Sequence, residues 1–106
     1  MTITLKLDPA PTFKAKVNIP VAGSDKGADI VCEFGHMTLD EYRKFTAGAA
    51  DRDDMQATLA ILRGWEGPDL AFSPETVAKL LQNYPGAAYA ISERFSIELM
   101  KARSGN

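Results

Sequence analysis

One cysteine, Cys32, and one histidine, His36, are all the chain has of the side chains that build disulfides and soft metal sites. A single thiol closes no bridge, and the two residues together leave a tetrahedral zinc set incomplete, so disulfide scaffolds and zinc modules are excluded. Long apolar runs are missing as well, since no stretch approaches the roughly 20 residues that cross a bilayer. Charge of one sign is scarce: twelve Lys and Arg stand against fourteen Asp and Glu, a net charge of −2. A duplex-binding surface has to neutralise several phosphates, so this balance argues against nucleic acid as a partner. A cytoplasmic protein in a reducing compartment is the expectation, with no membrane segment.

What remains is ordinary globular material. The 106 residues are 45% hydrophobic and 25% charged, close to the average of folded domains. They suffice for one domain over 1–106, with a compact surface expected at roughly 5,800 Å². Met1 to Leu7 alternates Ile3, Leu5 and Leu7 with polar residues, which suits an edge strand or a flexible leading segment, 1–10, before Asp8-Pro-Ala-Pro11 breaks the pattern. Phe13, Ala15, Val17 and Ile19 alternate with Lys14, Lys16 and Asn18 up to Pro20, the signature of a strand with one wet face. After a turn-rich stretch with Gly23 and Gly27, the residues Ile30, Cys32 and Phe34 alternate again. An antiparallel hairpin is the simplest connection, because a parallel pair needs a longer crossover.

The rest reads as helices. Thr38 with Glu41 forms a capping box, and Leu39, Tyr42, Phe45 and Ala49 are expected to point inward. Asp51-Arg-Asp-Asp54 suits the start of a second helix, with Met55, Leu59 and Leu62 as its stripe and Gly64 as its stop. Trp65 to Phe72 then serves as a connecting loop with Trp65 and Phe72 as anchors. Ser73-Pro74 opens a third helix whose buried face is Val77, Leu80, Leu81 and Tyr84. Beyond Pro85-Gly86 a last helix runs from about Ala87 to Ala102, with Ala88, Ile91, Phe95, Leu99 and Ala102 as its core stripe. The fold class is therefore α+β: an N-terminal antiparallel β-hairpin followed by about four α-helices.

No constellation announces catalysis. His36 has no nucleophile or carboxylate at triad spacing. Cys32 shares the apolar parity of its strand, where a thiol is a poor nucleophile. Asp51, Asp53 and Asp54 lack the alternation and central glycine of a calcium loop, and Gly64 and Gly67 lack the lysine and hydroxyl of a phosphate loop. The Tyr84-Pro85-Gly86 corner resembles a helix-turn-helix only superficially, because its second helix sets Glu93 and Glu98 beside Arg94, Lys101 and Arg103, with apolar Tyr89, Ile97 and Met100 among them. No enzyme, cofactor or metal is expected.

The last helix holds a surplus. Besides its core stripe, Tyr89, Ile97 and Met100 fall on another face with Glu93 between them; a second apolar stripe needs a second partner, either the hairpin or second helix of the same fold or another protein. These three residues are the first candidates for a partner-binding surface, with Trp65 and Tyr84 as further candidates.

A family resemblance runs over nearly the whole length. It rests on Phe13-Lys-Ala-Lys-Val-Asn-Ile-Pro20, on Glu33-Phe34 leading into Leu39-Asp-Glu-Tyr-Arg43, and on Gly64-Trp-Glu-Gly-Pro-Asp69. It continues through Phe72-Ser-Pro-Glu75, Leu80-Leu-Gln-Asn-Tyr-Pro-Gly-Ala87 and Ala102-Arg-Ser-Gly-Asn106. In these segments the chain resembles the small tail assembly chaperones of long-tailed bacteriophages and prophages. The resemblance implies a non-catalytic protein of the bacterial host cytoplasm that shields the tape measure protein until tail tube subunits polymerise around it, and that is absent from the mature virion. The implied partners are the tape measure protein and the tail tube protein, with self-association along the client adding avidity. The alternatives are a structural tail or head-tail joining protein, and a small DNA-binding regulator.

Overall fold

A computed structural model describes residues 3–101. Met1 and Thr2, at the start of the expected edge strand, and Ala102, at the end of the expected stripe, lie outside the described residues. The element order is β1 (Thr12–Ile19), β2 (Ala28–Gly35), α1 (Leu39–Ala47), α2 (Asp54–Ile61), β3 (Leu62–Glu66), α3 (Pro74–Asn83) and α4 (Ala87–Met100), with a 3-10 turn at Ala49–Asp51 between α1 and α2. The α+β class holds, with one strand more than the hairpin.

The three strands form an antiparallel sheet in the order β1-β2-β3. Pairing Ala15 with Cys32, Val17 with Ile30 and Phe13 with Phe34 puts the apolar parities of both hairpin strands on one face. Ala15, Val17, Ile19, Ile30, Cys32 and Phe34 are all buried there. The opposite face is polar. Lys14 reaches across the sheet to Glu66 at 2.9 Å, and Thr12 donates to the Glu33 carboxylate at 2.9 Å. Both partners of the Lys14–Glu66 pair are largely exposed, so solvent screening leaves it little weight in holding the sheet together.

The third strand corrects the sequence reading. Leu62 was expected on a helical stripe, Gly64 as a helix stop and Trp65 in a loop, yet all three lie in β3. α2 ends at Ile61 and the chain turns directly into the sheet at Leu62. Trp65 sits opposite Cys32 and Leu62 opposite Phe34, although they are three residues apart; a bulge at Arg63, between the Glu33 and Phe34 partners, lets both share the core face. The displaced Arg63 folds back over α2 and donates from Nη1 to the carbonyls of Leu59 and Ala60 at 3.3 and 3.2 Å. A cation on the unsatisfied carbonyls of a helix C-terminus is favourable. The same residue ends the helix and kinks the strand.

The helices start where their caps dictate. Thr38 and Glu41, Asp53 and Gln56, and Ser73 and Thr76 each form reciprocal side-chain to backbone bonds, and Pro74 occupies the first turn of α3. α4 lies against β1 and against α2, while α2 also packs on α3. Their common core holds Ile61, Val77, Ala87, Ile91 and Phe95 together with the inner face of the sheet. Phe95 is its centre: its ring lies 5.5 Å from Phe34, 6.1 Å from Phe13, and 6.3 Å from both Tyr42 and Phe45. The Arg52 guanidinium closes this cluster 4.3 Å over the Phe45 ring and also donates to the Phe45 carbonyl.

Three inward expectations fail for geometric reasons. Leu39 is 53% exposed: spacings of three drift by about 60° each, so a helix that turns Tyr42 and Phe45 inward rotates Leu39 away. Ala49 lies past the end of α1 in the 3-10 turn and is exposed, because the helical period no longer applies there. Tyr84 caps α3 outside its last turn and is exposed. Of the segment expected as an edge strand or a flexible lead, residues 3–10 are exposed and belong to no strand.

Candidate functional site

The candidate residues separate into two surfaces. The first is the outer face of α4. Tyr89 is 71% exposed and Met100 48% exposed. Ile97 is half-buried, because it borders a 340 Å³ groove between α4 and β1 with Val17, Lys16, Glu93 and Arg94. The Tyr89 hydroxyl donates to Glu93 at 3.0 Å, one helical turn along, which holds the ring along the helix instead of letting it swing free. That hydrogen bond to a carboxylate raises the Tyr89 pKa above its ordinary 10.0. Arg94 pairs with Glu98 at 2.6 Å, and Lys101 pairs with the same carboxylate. These pairs secure the last turns of α4, and Met100 sits there as an exposed apolar end.

The second surface lies around the Ile19–Ala28 end of the sheet, and Asp29 borders both grooves. Trp65 and Tyr84 line a groove of about 470 Å³ together with Ile19, Ile30, Leu70 and Leu80. Trp65 donates its indole N–H to the Leu70 carbonyl at 2.9 Å, and its ring stands edge-on to Phe72 at 5.3 Å. The indole is thus fixed by its own loop, half-buried, with the rest of the ring facing the groove. Sequence reasoning proposed Trp65 and Tyr84 but missed the cavity that joins them, as well as Leu70, which is 45% exposed. Nothing in the pattern around Leu70 announces it, because a loop has no period.

The reactive side chains are placed as core or surface residues. Cys32 is fully buried, and desolvation pushes its thiol up to about 12, far from the range of a nucleophile. His36 lies exposed at the end of the sheet, its backbone N–H bonded to the Pro11 carbonyl. Asp53 caps α2. Among the described residues no group of three or more His, Cys, Asp or Glu side chains is placed to hold a metal ion.

The geometry defines a small α+β domain whose polar chemistry is spent on caps and pairs, while aromatic and aliphatic side chains stay open on two surfaces. Surfaces of that composition suit contact with another protein. A family model described as phage tail assembly chaperone matches residues 1–106, and the chain belongs to that family. No curated protein and no solved structure matches it.

Proposed function

We propose that this chain is a non-catalytic tail assembly chaperone that binds and shields the tape measure protein in the host cytoplasm, aids tail tube polymerisation, and is left out of the finished particle. The observation that carries this reading is the open face of α4, where Tyr89 and Met100 are exposed beside Ile97 in a member of a tail assembly chaperone family. Coverage is the mechanism. An apolar patch on the chaperone pairs with apolar stretches of the client and lowers the client's association with itself. The Tyr89–Glu93 bond adds a fixed polar edge that gives the contact direction.

Co-expression with the tape measure protein tests it. The client is expected to become soluble and to co-purify, and Met100→Asp with Ile97→Asp is expected to weaken that association while the fold survives. A client that stays insoluble and never associates refutes the reading. So does recovery of the chain from purified particles, which would mark a structural tail component. Salt-sensitive DNA binding would point instead to a regulator.

A further inference from the structure

Ile3, Leu5 and Leu7 are 88%, 84% and 88% exposed and alternate with Thr4 and Lys6. Period two with one apolar side is the pattern of a strand that covers something. The segment leads directly into β1, and the chain bends at Leu7–Asp8 and again at Pro11.

β1 has a place for another strand. Among the described residues the order β1-β2-β3 leaves one edge of β1 unpaired. The His36 N–H donates to the Pro11 carbonyl at 2.9 Å, which makes Pro11 and His36 a hydrogen-bonded pair. The ladder alternates from there: Phe13, Ala15, Val17 and Ile19 turn their backbone groups to β2, while Thr12, Lys14, Lys16 and Asn18 turn theirs to the free edge. Such an edge is a template for an extended segment.

The 340 Å³ groove between α4 and β1 follows this edge. Val17, Ala90 and Ile97 supply its apolar lining, and Lys16, Asn18 and Asp29 border it from the polar face of the sheet. A strand seated there needs apolar side chains toward α4 and polar ones outward, which is the alternation of residues 3–7. Placing Leu7 opposite Phe13 sets Leu5 opposite Ala15 and Ile3 opposite Val17, all on the core face. It leaves residues 8–12 as a five-residue connection, within the ordinary range of a hairpin. A slip of one residue would turn every apolar side chain to the polar face. The same register sets Lys6 and Thr4 opposite Lys14 and Lys16, the residues with outward backbone groups, so each pair can exchange two hydrogen bonds. Lys6 then faces Lys14, whose ammonium is already drawn across the sheet to Glu66 at 2.9 Å.

We propose that residues 3–7 are a strap that closes on the free edge of β1 as a fourth strand, with Ile3 and Leu5 in the groove against Val17, Ala90 and Ile97. The structure holds the strap open. Closing buries two aliphatic side chains and pairs backbone groups, against the ordering of five residues; these terms are of similar size, so the strap is built to switch. Closed, it covers Ile97 and the edge. Open, it leaves both to an extended apolar stretch of a client. That gating use rests on the chaperone reading, whereas the strap itself needs no client.

Amide hydrogen exchange of the purified chain, read residue by residue by NMR, tests the strap. A strap closed half the time slows the Lys14 and Lys16 amides about twofold. Leu5→Asp lowers the closing equilibrium about 10- to 100-fold, the value of burying one leucine side chain, and is expected to abolish that protection. Lys6→Glu sets a carboxylate opposite Lys14 and is expected to favour closing by up to about fivefold. The Phe13, Ala15 and Val17 amides face β2 and stay protected in every variant, which reports that the fold is intact. Equal exchange at Lys14 and Lys16 in the wild type and in Leu5→Asp overturns the proposal. Protection that grows with protein concentration overturns it too, because another molecule would then hold the edge. For the gate, a chain carrying Leu5→Cys and Ile97→Cys is expected to form a disulfide within the monomer under mild oxidation, to lose the tape measure protein while locked, and to regain it on reduction. Equal binding by the locked and reduced chains overturns the gate. A wild-type chain with protected edge amides that never associates with the tape measure protein rejects the chaperone reading and leaves the strap standing.

Discussion

Replacing Phe95 by alanine should come close to unfolding the domain, and the structure says why. Phe95 is fully buried and touches a ring from β1 (Phe13), one from β2 (Phe34) and two from α1 (Tyr42 and Phe45). It is the point where α4, the hairpin and α1 meet. Truncating a buried phenylalanine costs about 3–5 kcal/mol through lost transfer energy and the cavity left behind. The edge and tilted ring contacts put this site at the upper end, since each aromatic pair adds about 0.5–1.5 kcal/mol. A domain of this length holds roughly 5–15 kcal/mol in total. With a urea slope near about 1.5 kcal/mol per M, a loss of about 4.5 kcal/mol moves the midpoint down by about 3 M. Equilibrium urea unfolding followed by circular dichroism reads this directly. Met100→Ala, on the open face of the same helix, serves as the control and should shift stability by no more than about 0.5 kcal/mol. A Phe95→Ala loss below about 2 kcal/mol would show that the four rings close around the gap and that the cluster is not what joins these elements.

Three further outcomes follow from single groups. Thr58 is fully buried in α2, and its hydroxyl has no hydrogen-bond partner, so Thr58→Val should raise stability by about 1 kcal/mol in the same urea assay; a loss would reveal a bridging water. Gly27 has φ +64°, and a Cβ there would lie 2.5 Å from the Ile19 carbonyl, whereas Gly23 at φ +84° has nothing within 4 Å. Gly27→Ala should therefore cost more than the about 1–2 kcal/mol of left-handed strain expected for Gly23→Ala, and equal costs would refute the close contact. The Tyr89 pKa is raised by its bond to Glu93, so the stabilisation from this bond is complete below about pH 10, the unfolded tyrosine value, and disappears as the pH rises through the folded value. Glu93→Ala should bring the phenolate absorbance midpoint of Tyr89 back toward 10, and an unchanged midpoint would dismiss the bond.

The legible parts of the fold were those where one physical rule acted alone. β1 and β2 each have one face in the core and one in water, so Val17 against Lys16 and Cys32 against Glu33 declare themselves by alternation. Caps are equally local: Thr38, Asp53 and Ser73 need only their own next turn. β3 was illegible because two rules collide in five residues. The bulge at Arg63 breaks the period of two, so Leu62 and Trp65 face the same way at an odd spacing. Gly64, which resembles a helix stop, instead lies in the strand opposite Glu33, whose carboxylate would sit 3.1 Å from a Cβ at this position. Tertiary proximity, which no local pattern encodes, decides both.

The leading segment shows the converse. Alternation at Ile3, Leu5 and Leu7 is as regular as in β1, yet among the described residues it has no partner strand and these three side chains stay exposed. The pattern records which face of a strand is meant to be dry and says nothing about which molecule dries it. The same holds for the second stripe of α4, where Tyr89 and Met100 are spaced like core residues and remain exposed. In a family whose work is assembly, apolar periodicity left over after the core is built is the feature that points to partners. That reasoning also fixes how the two surfaces differ. The α4 face is a short patch with one polar edge, suited to grip varied apolar stretches, whereas the Trp65 groove has defined walls that carry Asp29, Asp69 and Lys79. Substitutions on α4 should therefore weaken client binding, while Leu70→Asp in the groove should leave it intact. A Leu70→Asp protein that loses client binding as fully as the α4 variants would show that the two surfaces are one.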